Sequence, residues 1–154
     1  MERGDRIMPL NWPPAGPSDV PSYQMSAIPF VTSSNGAEVS TSAISVKFPN
    51  ATRFIVVRET EGQDLRVGFT ANGVLGKGGS VSGSIPPGVP ADHRNYFVVR
   101  ANETTPRLEV RCKEIFFVRD GNTDCGFTLL AGLTPIRPTD FPILTGSSGF
   151  VGIG

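Results

Sequence analysis

From Arg107 to Lys113 the chain alternates, with Leu108, Val110 and Cys112 in one phase and Arg107, Glu109, Arg111 and Lys113 in the other. After Glu114 the alternation stops, and Ile115, Phe116, Phe117 and Val118 follow without a break. Alternation is the pattern of a strand with one wet face, whereas an unbroken apolar run fits a strand buried on both faces. Both patterns recur in short stretches bounded by Gly, Pro, Asn and Asp, which punctuate strands and turns. They predict eight strands, at residues 25–33, 39–48, 53–59, 64–70, 95–100, 107–113, 114–119 and 126–134, with a turn or kink between the sixth and seventh. Boundaries of this kind are good to a few residues.

Three other segments lack period. Residues 1–23 carry Pro9, Pro13, Pro14, Pro17 and Pro21, which favour extended backbone, and read as an N-terminal arm. Residues 71–94 form a Gly- and Pro-rich insertion, and the tail from Thr134 is punctuated by the same two residues. The expected organisation is a Pro-rich arm at 1–23 followed by one all-β domain at 24–154. About eight short strands with one long insertion is the pattern of a single jelly-roll β-sandwich.

In a two-sheet sandwich only the inner face of each strand meets the core. Apolar runs fill both faces at residues 54–57, 96–99 and 115–118, so the outer faces need cover from the arm, the tail or another subunit. The bland alternative is that one or two residues of each run are simply exposed, which is common. Trp12, Tyr23, Phe54, Val56, Phe97 and Phe117 are the candidate interface residues on the first reading.

Composition narrows the class. The 154 residues suit one domain with a real core, and Gly 18 with Pro 14 marks many short elements. Lys plus Arg equals Asp plus Glu at 14 each, so net charge gives no reason to expect direct binding to nucleic acid. No apolar stretch is long enough to span a membrane or to serve as a signal peptide, which leads to the expectation of a soluble protein from a reducing compartment. Cys112 and Cys125 are accordingly expected to be reduced and buried, Cys112 because it alternates in phase with Leu108 and Val110.

The search for chemistry returns little. A Ser-His-Asp mechanism would have to use His93, the single histidine, and no Gly-x-Ser-x-Gly elbow is present. One histidine and two cysteines do not make a usual zinc site. Asp120-Gly121-Asn122-Thr123-Asp124 opens like a calcium loop, but Cys125 and Ala131 stand where Gly and Glu are needed, so a hairpin turn is the better reading. The glycines around Lys77 lack phosphate-loop spacing. Asn50 and Asn102 begin glycosylation sequons in form only, and Arg3-Gly4-Asp5 spells an integrin-binding tripeptide that recurs often by chance. No catalytic residue, metal ligand or cofactor is expected.

Five segments together resemble the penton protein of large icosahedral nucleocytoplasmic double-stranded DNA viruses, the group that includes iridoviruses. They are DLRVGFTANGV (64–74), NYFVVRANE (95–103), KEIFFVR (113–119), TLLAGLTPI (128–136) and the closing FPILTG with SGFVGIG. The resemblance runs from about Gln24 to the end and rests on the order and spacing of the segments; the arm and the insertion lie outside it. It implies a single jelly roll, five copies of which plug each capsid vertex as a homopentamer. The partners it implies are trimers of a double jelly-roll major capsid protein and other minor capsid proteins. It also implies a place in the virion capsid, assembled in the host cytoplasm, with no catalytic residues and no cofactor. Neighbours in the ring would then cover the outer faces.

Other readings stay open at this point. One is a minor capsid protein elsewhere in the same shell. Another is a trimeric enzyme of the dUTP diphosphatase type, to whose Gly-rich tail GSSGFVGIG is superficially similar. Its expected Asp followed by Tyr-Arg-Gly is not matched by Asp92-His93-Arg94-Asn95-Tyr96, and the tail lacks an arginine. A third is an oligomeric jelly-roll binding module, for which a lone Trp12 in the arm is weak support. Ordering the arm costs more than its few large apolar groups return, so it is expected to extend away and to become ordered only in an assembled shell, with Trp12 as main anchor.

Overall fold

The computed structural model describes residues 16–76, 95–144 and 152–153. Its elements in chain order are α1 (Val20–Gln24), β1 (Ile28–Ser33), β2 (Ile44–Lys47), β3 (Thr52–Glu59), β4 (Leu65–Gly68), α2 (Ala71–Val74), β5 (Phe97–Val99), β6 (Glu114–Arg119) and β7 (Phe127–Leu133), followed by a 3-10 turn at Pro138–Asp140. The fold is all-β apart from these single helical turns, as the period-two pattern requires. Two antiparallel sheets are formed, one in the order β1–β7–β3 and the other β2–β6–β4–β5.

Seven strands stand among the described residues where eight were expected. The missing one is 107–113. It runs beside β3, but only Leu108 completes a reciprocal backbone pair, with Ile55. On either side one backbone bond remains, from Thr105 N to Val57 O and from Thr52 N to Cys112 O, and a side chain takes the second bond of each pair. Thr105 Oγ1 accepts from Val57 N at 3.0 Å, and Thr52 Oγ1 accepts from Cys112 N at 3.0 Å while donating to Val110 O at 2.8 Å. The register of β3 also shifts between Thr52 and Phe54. A bulge and side-chain bonds together replace a regular ladder. The expected phase survives: Leu108 and Val110 pack against the core, Cys112 lies inside it, and Arg107, Glu109 and Arg111 are exposed.

The inner faces make one core. Ile55, Val57, Leu129 and Ala131 from the three-stranded sheet are buried in one cluster with Leu65, Val67, Ile115 and Phe117 from the four-stranded sheet. Phe117 stacks on Phe127 with ring centres 4.1 Å apart, and Phe30 meets Phe48 edge-on at 5.2 Å. Both cysteines are free and buried in this cluster. Burial pushes the Cys112 thiol up to about 11 against a hydrogen bond from Thr52, with the Glu114 charge adding to the rise. Burial, then the charges of Glu59 and Asp124, push Cys125 up to about 12. Both are therefore protonated thiols at neutral pH.

Two helical turns correct the pattern-based expectation. α2 falls in the first residues of the expected irregular insertion. Its start is set by Thr70, whose Oγ1 accepts from Gly73 N at 2.9 Å. α1 falls at the end of the expected arm. Residues 16–24 do not extend away from the domain: Pro17 O accepts from Arg111 and from the Tyr23 hydroxyl, and Tyr23 packs on a small second core of Ala51, Ile136 and Phe141. The arm expectation is thus corrected for its last residues, because Arg111 and Tyr23 supply local partners that the Pro-rich pattern does not advertise. Residues 1–15, which include Trp12, lie outside the described residues, as do His93, Lys77 and Arg3-Gly4-Asp5.

Candidate interaction surfaces

The unbroken apolar run at 115–118 splits cleanly. Ile115 and Phe117 face the core, and Phe116 and Val118 face out. Of the two outward residues, Val118 is almost fully buried. The chain covers this face itself. β6 pairs Gly68 with Phe116 and Arg66 with Val118, and α2 lies against both β4 and β6. Gly68 is the seat of that roof: a Cβ there would stand 3.0 Å from the Val74 Cβ. α2 is held in turn by the tail, through a hydrogen bond from Thr70 Oγ1 to Ile153 O at 2.9 Å. Beside it, Arg66 pairs with Asp120 at 2.8 Å and lies over the Tyr96 ring at 4.4 Å. Val98, opposite Arg66 on β5, remains exposed.

The outer face of the three-stranded sheet has no such roof among the described residues. β7 pairs Leu130 with Val31 on one side and with Val56 on the other, so these three form one apolar row across the sheet. Val31 is 67% exposed and Leu130 40%, and Val56 is half-buried. The next row is filled differently. Phe54 pairs with Gly132, and a Cβ on Gly132 would run into the Phe54 ring and stand 2.6 Å from Ala27. Arg107 then lies over the Phe54 ring at 4.3 Å and pairs with Glu109 at 3.0 Å. At the end of the same sheet a shallow cleft of about 320 Å³ separates α1 from Arg53, Glu109 and Arg111. Its arginines are already engaged, Arg53 with Met25 O at 2.7 Å and Arg111 with Pro17 O and the Tyr23 ring.

The candidate interface residues therefore scatter. Phe54 and Val56 do share an outer face. Tyr23 is half-buried under Arg111, and Phe97 is an inner-face residue packed against the core. Phe117 is corrected outright: it is fully buried at the centre of the sandwich and has no surface to offer a partner. The error was one of phase, since an unbroken run does not say which parity faces in. Val31, Leu130 and Val98 were missed as exposed residues. The signal was present in the Phe30-Val31 and Leu129-Leu130 pairs, where an inner and an outer apolar residue follow one another.

Charged chemistry is structural. The hairpin expected at 120–124 is corrected: β6 and β7 lie in different sheets, so this turn carries the chain across the sandwich. Its Asp120 and Asp124 are paired with Arg66 and Arg119, at 2.8 and 2.7 Å. No group of three or more metal-ligating side chains occurs among the described residues. Glu59 is fully buried and accepts from the backbone N–H groups of Glu61, Gly62 and Asn102 at 2.7 to 2.9 Å. Burial pushes its carboxyl up, but the N–H groups of Asn102, Glu61, Gly62 and Gln63 outweigh burial and hold it below its ordinary value. Glu59 thus fixes the turn that carries the chain from β3 in one sheet to β4 in the other. No helix among the described residues is long and apolar enough to cross a membrane. The chain matches no family model, no curated protein and no solved structure.

Proposed function

We propose that this chain is a structural capsid subunit, a single jelly roll of which five copies close into a ring that plugs a capsid vertex. The reading takes the stretch beside β3 as an eighth, degenerate strand. The sheets then run first–eighth–third–sixth and second–seventh–fourth–fifth, the connectivity of a jelly roll built from two Greek keys. The resemblance of the five segments to viral penton proteins supplies the function. Four of those segments fall on neighbouring elements of one sandwich: β4 with α2, β5, β6 and β7.

The observation that carries the reading is exposed apolar surface without an accompanying constellation of reactive groups. Val20, Met25, Ile28, Val31, Val98, Leu130 and Ile143 are all exposed among the described residues. Of these, Val31 and Leu130 stand side by side in one row with Val56, and contiguous apolar surface marks interaction with another macromolecule. A head-to-tail contact that closes makes a ring, and the number five comes from the resemblance alone. The ring would meet a double jelly-roll major capsid protein and other minor capsid proteins in the virion. No reaction and no cofactor are assigned to it.

Native mass spectrometry of the purified protein and of disassembled particles tests the proposal. A species of five subunit masses, seen as a five-fold ring by electron microscopy, is the expected result. A stable monomer within particles overturns it. So does a trimer that hydrolyses dUTP with magnesium at enzymatic rates, which would instead favour the enzyme reading.

A further inference from the structure

We infer that Asn35-Gly36 is a site of spontaneous modification, where the chain closes a cyclic imide and ends as aspartate or isoaspartate, and that the fold locks Asn72-Gly73 against the same reaction. These are the two Asn-Gly pairs of the sequence. The chemistry is intramolecular. The glycine N–H gives its proton to solvent base, and the nitrogen attacks the asparagine Cγ. A C–N bond forms as the side-chain amide leaves as ammonia. Water then adds to either carbonyl of the ring and opens it. One opening restores the main chain with an aspartate side chain; the other routes the main chain through Cγ and leaves isoaspartate. Water enters, ammonia leaves, and nothing is oxidised or reduced. The attack needs a following residue without a Cβ to hinder it, and a nitrogen not already held by an acceptor.

Asn35 and Gly36 meet both needs. They are exposed in the turn between β1 and the bridge of Val39 to Cys125. Gly36 N–H has no hydrogen-bond partner among the described residues, and nothing lies within 4 Å of where a Cβ would stand. The bonds of the turn use its other groups: Asn35 N donates to Glu38 Oε2 at 3.0 Å, while Gly36 O accepts from Ser34 Oγ at 2.8 Å and from Glu38 N at 2.9 Å. At the second pair the same atom is occupied. Gly73 is buried, and its N–H donates to Thr70 Oγ1 at 2.9 Å as the cap of α2. Ile153 O and Asn95 O fill the space beside it. The products would change the first turn. Isoaspartate adds a carbon to the main chain between Ser34 Oγ and Gly36 O, and either product sets a new carboxylate beside Glu38. Gly36 O already stands close over Gly126, where a Cβ would be 2.8 Å away, so the longer chain can only move outward. The inference concerns the single subunit and does not rest on the ring.

The experiment ages the full folded chain in mildly alkaline buffer, with a urea-unfolded sample beside it. Samples are digested in acid, where ring closure is slow, and the peptides carrying each pair are followed by mass as NH2 is replaced by OH. Fragmentation then separates aspartate from isoaspartate. In urea both pairs should convert at similar rates. In the folded chain Asn35 should convert within a few-fold of its unfolded rate, with isoaspartate among the products. Asn72 should convert at least about tenfold more slowly, because Gly73 N–H must first leave its acceptor. Thr70→Ala removes that acceptor and should speed Asn72 severalfold while leaving Asn35 as it was. Asn35→Gln should abolish conversion at the first pair. If Thr70→Ala does not fold, the ratio of folded to unfolded rates at each pair in the wild type still decides the matter. An Asn35 that stays intact in the folded chain overturns the inference. So does an Asn72 that converts as fast folded as unfolded, or one that Thr70→Ala leaves unmoved in a folded variant.

Discussion

The outer face of the four-stranded sheet is roofed by α2, whereas the outer face of the three-stranded sheet leaves Val31 and Leu130 in the open among the described residues. Both faces contain a glycine, and the two glycines are used differently. At Gly68 the absent side chain admits Val74, so a helical turn settles on the sheet over the Gly68–Phe116 row. At Gly132 the space is taken by the ring of Phe54 from the same sheet, which lies flat over its neighbour and is itself topped by Arg107. A glycine in a strand marks close approach of something, and what approaches decides whether the face is closed or stays available.

The largest test of this contrast places the same charge on each face. Val118→Asp buries an unpaired carboxylate on the outer side of β6 and should lower stability by about 3–5 kcal/mol, or prevent folding. Leu130→Asp, on the open face, should cost less than about 1 kcal/mol, since an exposed position lets the charge keep its water. Urea unfolding of the two variants gives the difference. Equal losses would show that the two faces are equally closed.

A second variant removes the seat of the roof. Gly68→Val places branched carbon against Val74 and should cost about 1–3 kcal/mol, with faster amide exchange in residues 71–76 and no change in β1. Exchange that rises equally in both sheets would mean that α2 is not a separate roof.

The joint between the sheets offers a third test, with a pH signature. Glu59→Gln keeps the shape but loses the charge that three N–H groups share, and should cost about 1–3 kcal/mol at pH 7. The folded-state pKa of Glu59 lies below its ordinary value of 4.5, so its contribution is complete above that value. It is lost as pH falls from there through the folded pKa. Stability of the wild type should therefore drop more steeply below pH 4.5 than that of the Gln variant. Parallel acid profiles would show that Glu59 is not the group responsible. The smallest expected effect is Val31→Thr, within about 0.5 kcal/mol, because the side chain is already in solvent or only lightly covered.

The sequence by itself determined the class of this fold and the position of most of its strands. A short apolar run flanked by charged residues and followed by turn residues marks a buried strand, so Glu114–Arg119 was legible residue for residue, and the all-β class followed from the shortness of the stretches between Gly and Pro. Alternation also placed Leu108, Val110 and Cys112 inside. Three things needed the tertiary structure. An unbroken apolar run has no phase, so only the packed sandwich could put Phe117 in the core and Phe116 outside it. The stretch at 107–113 carries a strand's pattern, yet the Thr52 hydroxyl, distant in sequence, takes the Cys112 N–H and the Thr105 hydroxyl takes the Val57 N–H, so no regular ladder forms. The roof over the outer face of β4 and β6 joins a glycine on β4, a four-residue helix and a carbonyl at Ile153, and no local pattern links groups brought together only when the chain closes on itself.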